Sequence, residues 1–358
     1  MALSCLRSAA KLALVSHLLG VAGCSHSDLY PITLEAGGRN SAGESGTGAV
    51  GGMVTNGGSS GNQPSACAPT VAPLGDSNQT VTVGDLTRTY VLHLPPGYDD
   101  TKRVPLVLDF HGVGATGMSE RASSPYPALL DPEGVVMAFP DGLKGPAGTA
   151  WNVGPCCVAN VDDLAFARAL VDQVRALACI EPTRIYAVGV LTGGGMAHYL
   201  ACHAADVVAA VAPAAFDLLA ENVDDCTPPR PISVISFRGN GTSRVPYDGG
   251  PSSLVPGMPL TFLGAQATFE KWSVIDGCVG PASVPDANGC SAYSGCAGGA
   301  EVILCTKQGG REDPGDPNIA GRCSSGTRFE ASFAPLPPVG LSLVTNAGPR
   351  DIRAGRCA

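Results

Sequence analysis

Two hydrophobic periods run through the middle of the chain, and they predict two kinds of element. Strict alternation at 80–83 and 88–94, on either side of Gly84-Asp85, predicts two strands joined as a hairpin. Continuous apolar runs predict buried strands at 105–110, 135–139, 184–190, 207–215, 232–237 and 302–305. Helical spacing predicts helices at 162–177, 196–205 and 265–275. Strands that alternate with helices predict an α/β fold, with a mostly parallel sheet covered by helices on both faces.

Three acidic residues in these elements are expected to be structural. Asp162 and Asp163 open the first predicted helix, where carboxylates favour the positive end of the helix dipole. Adjacent side chains diverge on a helix, so the two do not form an acid–base pair. Asp109 interrupts an otherwise apolar strand, which favours a structural role over a catalytic one.

The N-terminus has the pattern of an export signal. Arg7 and Lys11 precede an apolar run over 12–22, and small residues then lead to Cys24. We expect 1–23 to be a lipoprotein-type signal peptide and Cys24 to be lipidated, which would anchor the protein to a membrane. The alternative is ordinary cleavage, with Cys24 incidental. The expected location is an outer-membrane or cell-surface lipoprotein, otherwise the periplasm or the exterior.

Composition divides the rest of the chain. Ten of the 26 residues in 37–62 are Gly, so residues 24–66 are predicted to be a flexible linker. Residues 67–320, where the predicted strands and helices lie, form the predicted folded domain. The tail, 321–358, lacks helical periodicity, and back-translation allows an adjacent reading frame with a helix-like ending. We therefore hypothesise that a frameshift produced the tail.

Charge and cysteine content narrow the function classes. The formal net charge is −9, and no block of Lys or Arg is present, which argues against a nucleic-acid partner. Fourteen cysteines indicate an oxidising compartment and a disulfide-stabilised fold. The pairing is open, and Cys156 and Cys157 could bridge each other or separate partners. No cysteine pair with metal-site spacing lies near a histidine, so neither a metal nor another cofactor is expected.

A glycine-rich turn over 189–195 is the strongest candidate for a site. Glycines around a strand-to-helix turn are typical of a nucleophile elbow, whereas the phosphate-loop motifs are missing and glycine packing is the plainer alternative. The backbone N–H of Thr192, together with the loop at Gly112 and Val113, would form an oxyanion site. His111, just before that loop, is expected either to stabilise the turn or to border a cleft.

Several motifs in order carry a resemblance to a known family. They are Tyr90-Val91-Leu92-His93-Leu94-Pro95-Pro96-Gly97-Tyr98, Asp109-Phe110-His111-Gly112, Phe139-Pro140-Asp141-Gly142, Thr149-Ala150-Trp151-Asn152, Tyr186-Ala187-Val188-Gly189, Gly193-Gly194-Gly195-Met196 and Val245-Pro246-Tyr247. Over about 80–320 the chain resembles the poly(3-hydroxybutyrate) depolymerase and feruloyl esterase-like family of α/β-hydrolases. The resemblance implies an α/β-hydrolase fold and an exported serine hydrolase that cleaves carboxylic esters through a Ser–Asp–His triad.

All three triad positions depart from the family pattern. Leu191 stands at the serine position of the Gly-x-Ser-x-Gly elbow, Thr242 at the acid position and Glu312 at the histidine position. A leucine side chain has no lone pair with which to attack a carbonyl. The base comes last along the chain in this fold, yet none of the six histidines follows His203. The sequence therefore predicts a catalytically inactive homologue.

The leading hypothesis is a pseudo-esterase that binds an ester, a polyester or a feruloylated polysaccharide in the old cleft, or else a decayed homologue. His111 and Trp151 are candidate cleft residues, although Trp151 is equally consistent with ordinary core. Two alternatives stay open. One is an active ester hydrolase with an unrecognised catalytic constellation, and the other is a cell-surface binding or adhesion protein.

Overall fold

The computed structural model describes Cys67, residues 72–241 and 244–309, and the pairs Ser332–Phe333 and Leu343–Val344. The chain divides into two units, 1–61 and 62–358, and every described residue belongs to the second. The signal peptide, Cys24, the linker and the triad positions Thr242 and Glu312 lie outside the described residues, as does almost all of the tail. These expectations stay predictions.

One nine-stranded sheet forms the centre of the described domain, in the order β1-β2-β4-β3-β7-β8-β9-β13-β12. Its strands are β1 (Gly75–Val83), β2 (Leu86–Leu94), β3 (Val104–Phe110), β4 (Val136–Pro140), β7 (Ile180–Val190), β8 (Ala210–Ala214), β9 (Ser233–Gly239), β12 (Cys290–Tyr293) and β13 (Val302–Lys307). Three small two-stranded ladders accompany it: β5 (Leu143–Gly145) with β6 (Gly148–Ala150), β10 (Gly250–Ser252) with β11 (Leu260–Phe262), and β14 (Ser332–Phe333) with β15 (Leu343–Val344).

The sheet is mostly parallel, as the alternation of strands and helices predicts. The six strands from β4 to β13 in the sheet order run parallel, while β1, β2 and β12 pair antiparallel at the edges. The β1–β2 hairpin turns at Gly84, whose φ of 58° suits a residue without a Cβ. Strand β7, which leads into the glycine-rich turn, is the fifth of the nine strands and lies between β3 and β8, so the turn is at the middle of the sheet.

Five α-helices of the described residues connect the strands. They are α1 (Gly117–Ser123), α2 (Tyr126–Leu130), α3 (Asp163–Leu177), α4 (Thr192–His203) and α5 (Ala265–Ile275), and single 3-10 turns cover Asp131–Glu133, Val223–Asp225 and Ala297–Gly299. The predicted span of α5 is confirmed. Helix α4 begins four residues before the predicted start, because its glycines belong to the first helical turn and not to a preceding loop.

Alternate residues of the strands feed two separate cores, one on each face of the sheet. Leu106 and Leu108 of β3 join the larger core, which also contains the buried faces of α3, α4 and α5. Val107 points to the smaller core, where Leu130 of α2 packs. This period-2 division places helices on both faces and, with the strand order, gives the α/β-hydrolase fold.

Five disulfides link ten cysteines of the described residues, which confirms a disulfide-stabilised fold. The pairs are Cys67–Cys179, Cys156–Cys157, Cys202–Cys226, Cys278–Cys296 and Cys290–Cys305. The neighbours Cys156 and Cys157 thus bridge each other. Across the described part of the chain, no helix is both long and apolar enough to cross a bilayer.

Candidate active site

The junction of β7 and α4 has the backbone of a nucleophile elbow. Leu191 is the N-cap of α4, with φ 51° and ψ −120°. A positive φ is an outlier for a bulky side chain and costs on the order of 1–3 kcal/mol. The surrounding backbone holds Leu191 there, since its N–H donates to the Ala214 carbonyl at 3.0 Å and its carbonyl accepts from the Gly195 N–H at 2.9 Å.

Close approach of α4 to the central strands explains the glycines of the turn. A Cβ on Gly193 would lie 2.6 Å from the carbonyl carbon of Phe110 and 2.7 Å from the oxygen of His111. A Cβ on Gly189 would lie 2.8 Å from the Phe110 oxygen, and one on Gly195 would meet the Phe216 ring at the same distance. The glycines therefore bring the elbow against the end of β3, where the His111 loop begins.

Leu191 is the residue that the family resemblance predicts at the nucleophile position, and its side chain is buried. The residue is only 4% exposed, and its Cδ1 lies 3.6 Å from the place where a Cβ on Gly112 would stand. The isobutyl group thus packs on the backbone of the candidate oxyanion loop. A saturated hydrocarbon there can neither attack nor protonate a bound group.

The three predicted oxyanion residues come together around this leucine. Gly112 is buried beside Leu191, Val113 follows it in the same loop, and Thr192 is the first residue of α4. N–H groups of a first helical turn have no partner within their own helix, so that of Thr192 suits an anion. The Thr192 side chain is no substitute nucleophile, because it is fully buried and its Oγ1 hydrogen-bonds none of the described groups.

His111 stabilises the turn rather than bordering a cleft. Its Nδ1–H donates to the Gly112 carbonyl at 2.7 Å, and its Nε2 accepts from the Gly142 N–H at 2.8 Å. Both ring nitrogens are engaged and the residue is fully buried. Burial is also the main cause that lowers the pKa of His111, which keeps the ring neutral.

The sequence left Trp151 open as either a cleft residue or a core residue, and the structure places it in the core. It is fully buried, its ring packs edge-on against Phe110, and the guanidinium of Arg88 lies 5.6 Å from its centroid. Its Nε1–H donates to the His111 carbonyl at 2.9 Å. Trp151 therefore holds the start of the loop that follows His111 through this hydrogen bond, and its buried ring offers no surface to a ligand.

The two acids at the start of α3 play different parts. Asp162 caps the helix, since its carboxylate accepts from the Ala165 N–H at 2.8 Å. Asp163 does more than favour the helix dipole. It is buried, forms an ion pair with Arg88 and accepts from the Asn152 N–H at 2.6 Å. That pair ties the helix to β2 and to the loop after Trp151.

Asp109 has the structural surroundings that its place in an apolar strand suggests. It is 2% exposed and accepts from the Ser124 hydroxyl at 2.7 Å. Burial raises the pKa of Asp109 well above its usual range, and the nearby Glu120 acts in the same direction. Burial raises the pKa of Glu120 to about 7. Asp109 belongs to β3 and Glu120 to α1, so the two carboxyl groups lie where these elements meet.

Each of the four histidines among the described residues has a hydrogen bond or a ring contact within the fold. Besides His111, they are His93 of β2 and His198 and His203 of α4. His93 contacts carboxylates through both ring nitrogens, Asp76 at 2.6 Å and Asp131 at 2.8 Å. His203 packs against Tyr199, with ring centroids 4.5 Å apart. His198 accepts from the Trp272 Nε1–H at 3.1 Å.

Sequence reasoning missed one buried ion pair beside the elbow. Asp217, shortly after β8, pairs with Arg238 of β9, and both side chains are fully buried. Burial raises the pKa of Asp217 to about 6, although Arg238 acts to lower it. No sequence signal could have found this pair, because its members lie in different elements. Among the described residues, no group of three or more His, Cys, Asp or Glu side chains could hold a metal ion.

Comparison with known proteins agrees with this architecture. The chain is 42% identical over 233 residues to feruloyl esterase B of Piromyces equi, covering 64% of this chain and 43% of that protein. It is 33% identical over 188 residues to the putative esterase NocK of Nocardia uniformis subsp. tsuyamanensis, covering 49% of this chain and 52% of that protein. The chain thus spans about half the length of these curated relatives.

A third curated relative and one solved structure show weaker similarity. A probable feruloyl esterase C of Aspergillus terreus is 30% identical over 170 residues, covering 46% of this chain and 58% of that protein. No protein-family model matches the chain. The solved acetyl xylan esterase from Aspergillus awamori is 14% identical, with a TM-score of 0.47 over 66% of this chain and 94% of that one. Over the residues that it shares with these curated relatives, the chain is similar to feruloyl esterases, and the strand order of its sheet is that of the α/β-hydrolase fold.

Proposed function

We propose that this protein is a pseudo-esterase, a member of an ester-hydrolase family that does not hydrolyse esters. One observation carries the proposal: Leu191 has the strained backbone of a nucleophile but a hydrocarbon side chain. The elbow and its glycines persist although the chemistry they serve in an esterase has no attacking atom.

The histidines support the proposal from a second direction. A serine hydrolase needs a base within hydrogen-bond reach of its nucleophile. His93, His111 and His198 each hold hydrogen-bonded structural positions, and His203 lies at the far end of α4 from Leu191. The sequence has no histidine after His203. With Thr242 at the acid position and Glu312 at the histidine position, no triad can be assembled at the expected places.

The packing of Leu191 bears on what the protein could still bind. Its side chain covers Gly112, where the carbonyl oxygen of a bound ester would otherwise approach the loop. We infer that a ligand of the ester, polyester or feruloylated polysaccharide class would contact the rim of the cleft, with its ester group away from the oxyanion position.

Export is part of the same proposal. Five disulfides in the described domain support an oxidising compartment, since cytosolic thiols are kept reduced. Together with the signal-like N-terminus, they support a protein at the cell surface or outside the cytoplasm, attached to the membrane through Cys24. Globomycin-sensitive processing and palmitate labelling that Cys24→Ala abolishes would test the anchor.

The decisive experiment measures turnover of p-nitrophenyl butyrate by the full chain. We expect no more hydrolysis than from a heat-denatured sample, because loss of triad members lowers kcat by a factor on the order of 10⁶. Turnover by the native protein that a serine-directed phosphonate abolishes would refute the proposal and favour an unrecognised catalytic constellation.

A restoration series connects the missing activity to the substituted positions. The triple variant Leu191→Ser, Thr242→Asp, Glu312→His should gain phosphonate-sensitive hydrolysis. The matched control replaces Leu191 by Ala in the same triple background, which removes the bulk of the leucine without supplying a nucleophile. Equal activity of the two triple variants would contradict the role assigned to position 191.

A further inference from the structure

Strand β1 carries a short motif that the site at the elbow does not use. Residues 78–80 read Asn-Gln-Thr, which is the Asn-x-Thr acceptor sequence for N-linked glycans in exported proteins. Bacterial oligosaccharyltransferases also require an acidic residue two positions before the asparagine, and Asp76 stands there. Asn-x-Thr occurs once more in the chain, at 240–242, but Arg238 occupies the earlier position and has the opposite charge. The longer motif therefore selects Asn78.

The fold exposes all three residues of this longer motif. Side chains alternate between the two faces of a strand, so Asp76, Asn78 and Thr80 share one face, and each of them is exposed. Val81 lies on the opposite face, where it joins the larger core. A sugar on Nδ2 of Asn78 would therefore project into solvent without displacing a packed group.

The two asparagines differ in what their side chains already bind. The Asn78 side chain hydrogen-bonds none of the described groups, and its backbone pairs with Val91 of β2. In contrast, Nδ2 of Asn240 donates to Gln308 Oε1 at 2.6 Å, and its Oδ1 accepts from the Gly309 N–H at 2.8 Å. A glycan on Asn240 would crowd these bonds between neighbouring loops, whereas one on Asn78 disturbs none. Structure and motif thus select the same residue.

The position of β1 in the sheet gives such a glycan a physical role. Strand β1 is the edge of the nine-stranded sheet and pairs only with β2 among the described residues. Proteins usually protect a free edge with a short strand, a Lys, a Pro or a bulge, because an open edge is a template for pairing with another chain. The nine residues of β1 include neither Lys nor Pro, and they pair with β2 without a bulge. An oligosaccharide on Asn78, the fourth of the nine, would hinder the approach of a second strand.

We propose that Asn78 is the acceptor of an N-linked oligosaccharide, which shields the free edge of β1. The donor is an oligosaccharide linked to a lipid diphosphate, and a membrane oligosaccharyltransferase catalyses the transfer. The Nδ2–C1 bond to the first sugar forms, the bond between C1 and the diphosphate oxygen breaks, the lipid diphosphate leaves, and Nδ2 loses one proton. Transfer of this kind takes place on exported chains, so the site rests on the export proposed above, but not on the proposed loss of ester hydrolysis.

The test produces the full chain in a bacterial host that contains an oligosaccharyltransferase of the acid-requiring kind and its lipid-linked oligosaccharide. One arm uses the chain's own N-terminus, and a second arm adds the signal peptide of a known periplasmic protein, which secures export. After reduction and digestion with trypsin, the peptide 40–88 should gain the mass of one oligosaccharide in both arms. The peptide 239–244, which contains Asn240, should stay unmodified.

Four variants examine the motif in the second arm. Asn78→Gln and Thr80→Val should each lose the added mass, while Thr80→Ser should keep it, because serine also supplies the hydroxyl. Thr82→Val is the matched control, since Thr82 is exposed on the same face of β1 but lies outside the motif, and it should keep the glycan. Melting temperatures should show all four folded, because the substituted side chains are exposed.

The shielding role has its own measurement. The wild-type chain made without the transferase should form larger species in size-exclusion chromatography, at concentrations at which the glycosylated chain does not. Equal association of the two would overturn the shielding role.

The two arms separate the glycan site from export. An unmodified 40–88 peptide in the second arm, from periplasmic protein with its disulfides formed, would overturn the site, and so would a glycan that persists in Thr80→Val. A glycan in the second arm alone would support the site and contradict the proposed export by the chain's own N-terminus.

Discussion

The close contact between α4 and β3 makes Gly193→Ala the sharpest probe of the elbow. The added Cβ would meet backbone atoms of Phe110 and His111 at 2.6 and 2.7 Å, distances that real Cβ atoms essentially never show. Backbone atoms of a central strand cannot rotate aside as a side chain can. The Cβ would come closest of all to the carbonyl oxygen of Phe110, so helix α4 would have to move away from β3 by about 1.5 Å to restore ordinary contact.

Two effects oppose each other in this variant. Alanine is a better helix former than glycine by about 1 kcal/mol, which favours the substitution. Overpacking of a rigid site costs about 3 kcal/mol at the upper end of its range, which fits a clash with backbone on two sides. The clash wins, and we expect Gly193→Ala to lower the free energy of unfolding by about 2 kcal/mol.

Urea denaturation with the disulfides intact measures this loss. With an m-value of about 3 kcal/mol/M for a domain of this size, the midpoint should fall by about 0.7 M. Gly97→Ala is the matched control, because a Cβ on Gly97 would find no atom within 4 Å and its midpoint should change little. A Gly193→Ala protein with the wild-type midpoint, beside an unchanged control, would refute the close-approach argument for the elbow.

Three other predictions concern stability. Asp217→Asn should cost about 3–5 kcal/mol in urea denaturation, because it removes the negative charge of a fully buried ion pair; a loss under 1 kcal/mol would contradict this. Cys202→Ser should cost about 3 kcal/mol by the same assay, since that bond closes a loop of sequence separation 24; an unchanged midpoint would show that the loop is already constrained when unfolded. Burial tends to raise the pKa of Asp76, but hydrogen bonds from Arg121 and His93 outweigh it and lower that pKa. Its contribution is therefore present above about pH 4 and lost as pH falls through the lower folded value, so Asp76→Asn should flatten the acid side of a melting-temperature profile.

The strands that sequence predicted well are those whose pattern reflects burial on one or both sides. Alternation located the β1–β2 hairpin, and its turn lies at the predicted Gly84-Asp85. The apolar run before His111 located β3, which ends at Phe110 as predicted. The short edge strand β12 was not predicted, because its four residues of mixed polarity show no hydrophobic period. Its partner β13 was predicted as the last strand, but the antiparallel ladder between them depends on a contact across the sheet.

The candidate site divides in the same way. The motif order located the elbow and the loop at Gly112, and those residues lie together in the structure. Sequence left two readings for Trp151 and His111, and three-dimensional packing assigned both to the support of that loop. The Asp217–Arg238 pair could not be predicted, since burial of opposite charges follows from where β8 and β9 end.

Sequence by itself determined the class of fold, the resemblance to feruloyl esterases and the prediction that a leucine stands at the nucleophile position, because those follow from local periods, motif order and residue identity. The tertiary structure decided that Leu191 keeps the strained elbow conformation and packs over Gly112, and that ten cysteines pair among themselves. The physical reason is the range of the interactions: hydrophobic period and turn chemistry act between near neighbours, whereas packing, ion pairing and disulfide bonding join residues that only the folded chain brings into contact.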